Sequence, residues 1–504
     1  MGSTSFQPKA YEEISRFQWS SSNPEHQFDV HNPATGELIT RVQGGGVDEV
    51  QQAVATAQKA FQSWRWLPRR ERAMYLHRVG DQLSQHFEEL AELLSRENGK
   101  PISQAREGDV PFVIGIFHYF ASLIDKLPDE FYDQGSIYAS VFREPYGVVA
   151  GIIPFNWPPI HVGGKSAPAL AMGNTIIIKP GEQAPLTAMR IIEIAQEVLP
   201  PGVIQSLPAV GTAVPQALVT HPDVRKVSFT GSTRGGAAVS KLAADSITPL
   251  SLELGGKNAM IIFDDADVDL AVRNAMDGGF FNQGEACTAS SRILVQKAVH
   301  DEFISKLGAA VKRLKVGHGA NADTHVGPLV TQVHQQKVEE YIQIGVSEGA
   351  KIEAQAPKPT DVKLAKGFYV QPTLLTGVTR NMRVAKEEIF GPVVTVNAFD
   401  TYEEAISIAN EVDYGLVCAV FSKDVTKATK AGRELDAGMV FINNYNRMAL
   451  GTPFGGAKHS GYGREHCIET LHEYSRPKNM RVPSGIGPVS GWSKVTELLE
   501  NCKL

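Results

Sequence analysis

Apolar residues recur at helical spacing twice near the start of the chain. The first set is Val50, Ala53, Val54, Ala57, Ala60, Phe61 and Trp64, and the second is Leu76, Val79, Leu83, Phe87, Leu90 and Leu94, which predicts two amphipathic helices. The second is expected to stop at Asn98-Gly99, with Pro101 beyond it. From residue 147 the pattern changes to short apolar runs separated by helix-length stretches: Val148 to Ile153, Thr175 to Ile178, Val203-Ile204, Lys226 to Phe229 and Ala259 to Phe263. Short buried strands alternating with helices predict parallel pairing with helices on both faces, an open Rossmann-like α/β sheet. A second alternating block has strands expected at Arg292 to Gln296, Val393 to Ala398, Leu416 to Phe421 and Met439 to Asn443, and it predicts a second α/β unit. The charged, proline-containing stretch from Lys351 to Gly367 reads as a surface excursion.

A length of 504 residues leaves room for about three domains. The net charge of -6 gives no basic footprint, which argues against nucleic acid and anionic membrane as partners. The most apolar stretch, Tyr146 to Gly164, is interrupted by Pro154, Asn156, Pro158 and Pro159, so membrane insertion is not expected. The segment through Gln27 is polar and mixed in charge, which predicts a cytoplasmic protein. The last three residues, Cys502-Lys503-Leu504, form a small-basic-Leu ending similar to the Ser-Lys-Leu peroxisomal address, which makes peroxisomal import the alternative destination.

The chain has four cysteines, Cys287, Cys418, Cys467 and Cys502. They stand too far apart for a zinc knuckle or a redox dithiol, so neither a metal site nor a disulfide framework is predicted. Cys287 follows Phe281-Asn282-Gln283-Gly284-Glu285-Ala286 and precedes Thr288, small and polar neighbours that suit a nucleophile rather than a packed thiol. Gly231-Ser232-Thr233 follows a predicted strand and opens a predicted helix, a turn able to present backbone N–H groups to a phosphate. Lys179-Pro180-Gly181-Glu182 follows another strand, at the sheet edge where nucleotides bind; a carboxylate there accepts from ribose hydroxyls and repels a 2'-phosphate. In Leu252-Glu253-Leu254-Gly255-Gly256-Lys257, a glutamate with apolar flanks is expected to have the raised pKa of a general base. Pro154-Phe155-Asn156-Trp157-Pro158 is a rigid turn displaying an amide suited to an oxyanion. Each of these has a plain structural alternative: a solvated charge pair, a strand-end glutamate, a turn asparagine.

These segments, followed in order by Glu387-Glu388-Ile389-Phe390-Gly391-Pro392, Pro453-Phe454-Gly455-Gly456 and Ser460-Gly461-Tyr462-Gly463-Arg464-Glu465, resemble the aldehyde dehydrogenase superfamily from about residue 28 to residue 487. The resemblance is to its NAD(P)-dependent, hydrolytic, non-CoA-acylating branch. It implies an α/β fold with a Rossmann-like cofactor domain over residues 1–126 and 146–255 and an α/β catalytic domain over 256–459. A small β oligomerisation arm over 127–145 and 471–487 and a C-terminal extension over 488–504 would complete the chain. The arm implies a homodimer or homotetramer.

The same resemblance implies NAD as cofactor, with NADP disfavoured by Glu182, and a small-molecule aldehyde oxidised to its acid through a cysteine thiohemiacetal and thioester. Cys287 would be the nucleophile, Asn156 the oxyanion donor, Glu253 the base, and Lys165 and Glu465 a proton path. Ile152, Pro154, Lys179, Glu182, Gly231, Ser232, Leu254, Glu388 and Phe390 would hold the cofactor. Trp157, His161, Thr288, Arg447 and Met448 would line the substrate pocket, suiting an aromatic or carboxylate-bearing aldehyde. Three departures from the family pattern stand out: Phe155 in place of a Trp, Glu285 in place of a Gln, and Gly164 in place of a bulkier side chain. Glu285, if ionised, would disfavour the thiolate two residues away, and Gly164 would widen the tunnel. The rival readings are a CoA-acylating semialdehyde dehydrogenase, which generally lacks the carboxylate at Glu253, and a catalytically silent binding protein on the same scaffold.

Overall fold

A computed structural model describes residues 23–445 and 448–501. The first predicted helix spans Val47–Trp64, and the Glu49 carboxylate accepts from the Gly46 N–H at 2.7 Å to close its first turn. The second predicted helix is two helices, Arg69–Gln85 and Phe87–Asn98. His86, at φ -98° and ψ 19°, leaves helical geometry between them. The apolar periodicity runs through both because both pack their buried stripe into one core. Gly99 stops the chain in the left-handed conformation at φ 92°, which glycine adopts without a Cβ penalty.

The first sheet is built from β1 (Val148–Ile152), β2 (Thr175–Lys179), β3 (Ile204–Ser206), β4 (Val224–Thr230), β5 (Leu250–Glu253) and β6 (Gly461–Tyr462), in the order β6-β5-β4-β1-β2-β3. All pairs are parallel except β6 with β5. Helix α1 (Pro158–Ala171) covers one face and helix α2 (Thr233–Ala244) flanks the other. Side chains alternate across the sheet. Val149, Ile176 and Ile178 join the core under α1, whereas Ala150, Ile152, Ile177, Val227 and Leu252 join the core on the opposite face.

The run from Ala259 to Phe263, expected in this sheet, instead supplies a central strand of the next one. The second sheet has seven strands in the order 351–355, 373–376, 393–399, 292–296, 259–262, 417–421, 439–442. An apolar run encodes burial but not which sheet buries it, and the chain changes sheets within the five residues after Glu253. Lys351 to Gly367 also departs from expectation, because Lys351–Gln355 forms the antiparallel edge strand of this sheet. Its only apolar residues are Ile352, which is exposed, and the small Ala354, which is buried, so the alternation is too short and weak to mark a strand.

A three-stranded antiparallel sheet pairs Ile137–Pro145 with Ser475–Pro483 on one side and Glu130–Asp133 on the other. Phe131, Tyr132, Met480 and Val482 stand exposed on it. A short helix, Ser493–Asn501, ends the described chain; Cys502, Lys503 and Leu504 lie outside the described residues, as does Arg447. Among the described residues no helix is long and apolar enough to cross a membrane.

Candidate active site

Parallel strands end together, so the residues after them converge on one edge of the first sheet. Ile152 closes β1 and Pro154 follows it; Lys179 closes β2, with its ammonium 3.7 Å from the Glu182 carboxylate. Glu182 also accepts from the Gly211 N–H at 3.0 Å. Gly231 follows β4, and Ser232 caps α2 by accepting from the Gly235 N–H at 3.1 Å. Leu254 follows β5 and packs where a Cβ on Gly236 would stand. Two residues reach this edge from the second unit. Glu388 accepts from the Gly256 N–H at 2.9 Å, and burial pushes its pKa up to about 7. Phe390, in the left-handed region at φ 60°, sets its ring edge-on to Phe155 at 6.0 Å.

The loop before Cys287 is forced into an unusual shape. Asn282, Gln283 and Gly284 have φ values of 51°, 57° and 69°, a run that costs of order 1–3 kcal/mol for each non-glycine residue. Polar pairing holds it. The Asn282 N–H donates to the Gln104 side-chain amide oxygen at 2.9 Å, and the Asn282 side-chain amide donates to the Asn156 and Glu285 backbone carbonyls at 3.2 and 3.0 Å. Downstream, the Asn258 amide donates to the carbonyls of Cys287 and Ala289 at 2.8 and 2.9 Å. Asn156 is buried beneath this loop; its amide donates to the Glu285 carbonyl at 3.1 Å and its oxygen lies 3.3 Å from the His161 ring.

Cys287 and Glu253 open into one cavity of about 540 Å³, bounded by Phe112, Trp157, Phe281 and Phe454 and by Thr288, Met448 and Glu465 among others. The Cys287 thiol is half-buried and held protonated, by burial first and then by the charges of Glu253 and Glu388. Glu253 ends β5 at 4 % exposure, and neither of its carboxylate oxygens has a hydrogen-bond partner among the described residues. Burial, and next the neighbouring Glu465, raise its pKa well above the ordinary carboxylate range. Glu465 takes the opposite course despite its burial. Lys165 donates to it at 2.8 Å and holds its carboxylate down at about 2. Two acids pushed apart in this way separate an ionised partner from a group that holds its proton more tightly than an ordinary carboxylate.

Two sequence expectations are overturned here. Glu285 does not act on the thiol as a charge: the left-handed turn aims its side chain away from Cys287, toward the Val330 N–H at 3.1 Å and the Gln283 amide at 3.3 Å, and burial pushes its pKa up to about 8. Gly164 does not widen the cavity either. The His466 ring fills that space, its Cε1 lying 3.0 Å from where a Gly164 Cβ would be. Arg447, proposed for the wall, lies outside the described residues.

One wall went unread in the sequence. A π-helical turn, Ala105–Asp109, and the helix after it bring Gln104, Glu107, Pro111 and Phe112 to the cavity. Inside that turn Asp109 binds the fully buried Lys100 ammonium at 2.8 Å, which in turn lies 3.3 Å from the Asn156 carbonyl and 4.0 Å from the centre of the Trp157 ring. The only sequence signal for it was a lysine between Gly99 and Pro101.

Comparison with known proteins places the chain. Residues 19–480 match the aldehyde dehydrogenase family. The chain is 53 % identical to the aldehyde dehydrogenase citD of Monascus ruber over 491 residues, 97 % of each protein. It is 38 % identical to a betaine aldehyde dehydrogenase of Bacillus subtilis, over 92 % of this chain and 95 % of that protein. The structure of betaine aldehyde dehydrogenase from Staphylococcus aureus in complex with NAD+ superposes with a TM-score of 0.92 at 37 % identity, covering 96 % of this chain and 99 % of that one.

Two outcomes follow from the loop. The Glu285 carboxyl rises from 4.5 to about 8 on folding, so between those pH values the unfolded chain has lost a proton that the folded chain keeps, and stability falls as pH rises. Glu285→Gln removes that dependence. Its melting temperature is expected to gain on the wild type between about pH 5 and about pH 8 when followed by circular dichroism, and parallel profiles would contradict the assignment. Gly284→Ala would strain a left-handed residue and drive a methyl into the Gly391 carbonyl. It is expected to cost more than about 1 kcal/mol in urea unfolding, with activity falling in step.

Proposed function

The chain belongs to the aldehyde dehydrogenase family, and from that membership we propose that it oxidises an aldehyde to its carboxylic acid with NAD through covalent chemistry at Cys287. The observation that carries this reading is the shared cavity: a protonated thiol and an unpartnered, pKa-raised carboxylate face the same space. The proposed domains follow the sheets, with a cofactor domain through residue 255, a catalytic domain over 256–459 and the exposed three-stranded arm serving a homodimer or homotetramer.

The sheet edge fits a dinucleotide. A Cβ at Gly231 or Gly235 would meet the Phe229 ring at 2.7 or 2.8 Å, so glycine suits the turn that leads from β4 into α2, whose N-terminus, capped by Ser232, supports a phosphate there. Lys179 and Glu182 would hold the adenine ribose, with Glu182 turning away a 2'-phosphate, while Ile152, Pro154, Gly231 and Leu254 form the floor. Glu388 and Phe390 would hold the nicotinamide end. When bound, NAD supplies the hydride acceptor.

The chain's own residues do the rest. Cys287 loses its proton and bonds to the aldehyde carbon. Asn156 commits one amide hydrogen to the Glu285 carbonyl and keeps the second for the oxyanion, alongside the Cys287 N–H. Glu253 takes a proton from water, which attacks the thioester and frees the acid and the thiol. The presence of Glu253 supports hydrolysis over transfer to CoA. The aromatic wall of Phe112, Trp157, Phe281 and Phe454, with Trp157 stacked on Phe281 at 5.7 Å, supports an aromatic aldehyde. The terminal Cys502-Lys503-Leu504 supports peroxisomal import, and a tagged fusion that stays cytosolic with this tail free would end that idea.

NADH appearance with a panel of aromatic and aliphatic aldehydes tests the whole reading. Aromatic members should be preferred, and Cys287→Ala should be inactive. Glu253→Gln should give one turnover of NADH and then slow by roughly 10²–10⁴-fold. Persisting turnover in Cys287→Ala would exclude the mechanism. Glu182→Gln should narrow the preference for NAD over NADP.

A further inference from the structure

The turn Phe155-Asn156-Trp157, which carries the amide assigned to the oxyanion, rests on a second short segment, Asn98-Gly99-Lys100. The contacts run in step along the two. The Asn98 side-chain amide donates to the Phe155 backbone carbonyl at 3.0 Å. The Lys100 ammonium donates to the Asn156 backbone carbonyl at 3.3 Å and lies 4.0 Å from the centre of the Trp157 ring. Each residue of the turn is therefore held from this segment. The segment is itself fixed at both ends: the Lys100 carbonyl accepts from the Ser95 hydroxyl at 2.7 Å, and the Ile102 N–H donates to the Gly319 carbonyl of the second unit at 2.8 Å.

Lys100 and Asp109 are both fully buried. An ion pair at such depth rarely adds stability over apolar residues of the same size. Every hydrogen of the ammonium nevertheless has an acceptor: two go to the Asp109 oxygens at 2.8 and 3.0 Å and the third to the Asn156 carbonyl. The acid arrives through the π-helical turn Ala105–Asp109, where the Val110 N–H donates to the Ala105 carbonyl five residues back. Turns of this kind recur at functional sites. Here the turn sets Asp109 inward on Lys100 while Gln104 and Glu107 line the cavity. A pair that contributes little to stability and ends on the oxyanion turn is placed to fix geometry.

We propose that Asn98, Lys100 and Asp109 are positioning residues for the reaction, holding the Asn156 amide at the point where the oxyanion forms. The proposal rests on Asn156 acting as the oxyanion donor. None of the three lines the cavity, so they act through Asn156 and not on the substrate. A donor aimed at developing charge is worth roughly 10²–10³ in rate, and a displacement of about 1 Å forfeits much of that. The donor meets the same oxygen in every aldehyde. Its alignment therefore sets the rate of carbonyl attack whatever group fills the rest of the cavity.

NADH formation with butanal and with benzaldehyde tests this. Lys100→Met alone leaves Asp109 charged and unpaired and is expected to unfold the chain. The pair is therefore replaced together, as Lys100→Met with Asp109→Asn, which removes both charges at nearly constant volume. This variant should melt cooperatively and bind NAD as the wild type does, while kcat/KM falls about tenfold for both aldehydes alike. Asn98→Ala, which leaves the pair intact, should lower kcat/KM in the same even way, by less. Asn156→Ala alone should cost roughly 10²–10³-fold, and adding the pair replacement to it should cost less than about twofold more. Unchanged kcat/KM in both variants, a loss confined to benzaldehyde, or a full tenfold loss on top of Asn156→Ala would overturn the positioning role. Full turnover in Asn156→Ala would instead remove the oxyanion reading on which it rests.

Discussion

One buried ammonium organises this molecule. Lys165, in the middle of α1, binds the carboxylate of Glu465, which the chain delivers 300 residues later. Neither charge tolerates burial alone: removing one partner of such a pair typically costs about 3–5 kcal/mol. The C-terminal segment must therefore close over the first sheet before the pair exists. Its consequence reaches the chemistry, because two buried carboxylates share the cavity and one ammonium neutralises only one of them. Glu465 stays ionised, and Glu253, left without a partner, takes on the raised pKa of a base.

The junction between the two sheets sets the remaining distances. β5 ends at Glu253 and the next strand begins at Ala259, so the base and the floor of the nucleophile loop belong to one short tether. Asn258 fixes that tether to both sides, donating to the Cys287 and Ala289 carbonyls and accepting from the Val417 N–H at 3.1 Å. The left-handed run at Asn282 to Gly284 is tolerated because the surrounding amides over-determine it.

What was legible in the sequence followed from periodicity and from local motifs. Buried helices and strands announce themselves because burial repeats every 3.6 or 2 residues, and the motifs at Asn156, Glu253 and Cys287 carry their chemistry within a few positions. Relations across the chain left no such mark. Which sheet claims Ala259 to Ile262, why the apolar pattern breaks at His86, and how Lys100 and Asp109 brace the Asn156 turn all depend on contacts between distant segments. Glu285 shows the reverse error. Two residues from the thiol in sequence, it faces a different environment because the backbone turns between them, and its burial, not its proximity, decides its charge.

Gly164 and His466 belong to different segments, a helix and a C-terminal loop, yet they occupy one volume. His466 holds that place in the left-handed region at φ 65°, its ring edge-on to Phe112. In mutational terms the two positions form a single site with strong epistasis. A larger residue at 164 meets the imidazole, and a smaller one at 466 opens a void beside Glu465. The volume at this end of the cavity is therefore shared by a matched pair, and a larger side chain at 164 calls for a smaller one at 466.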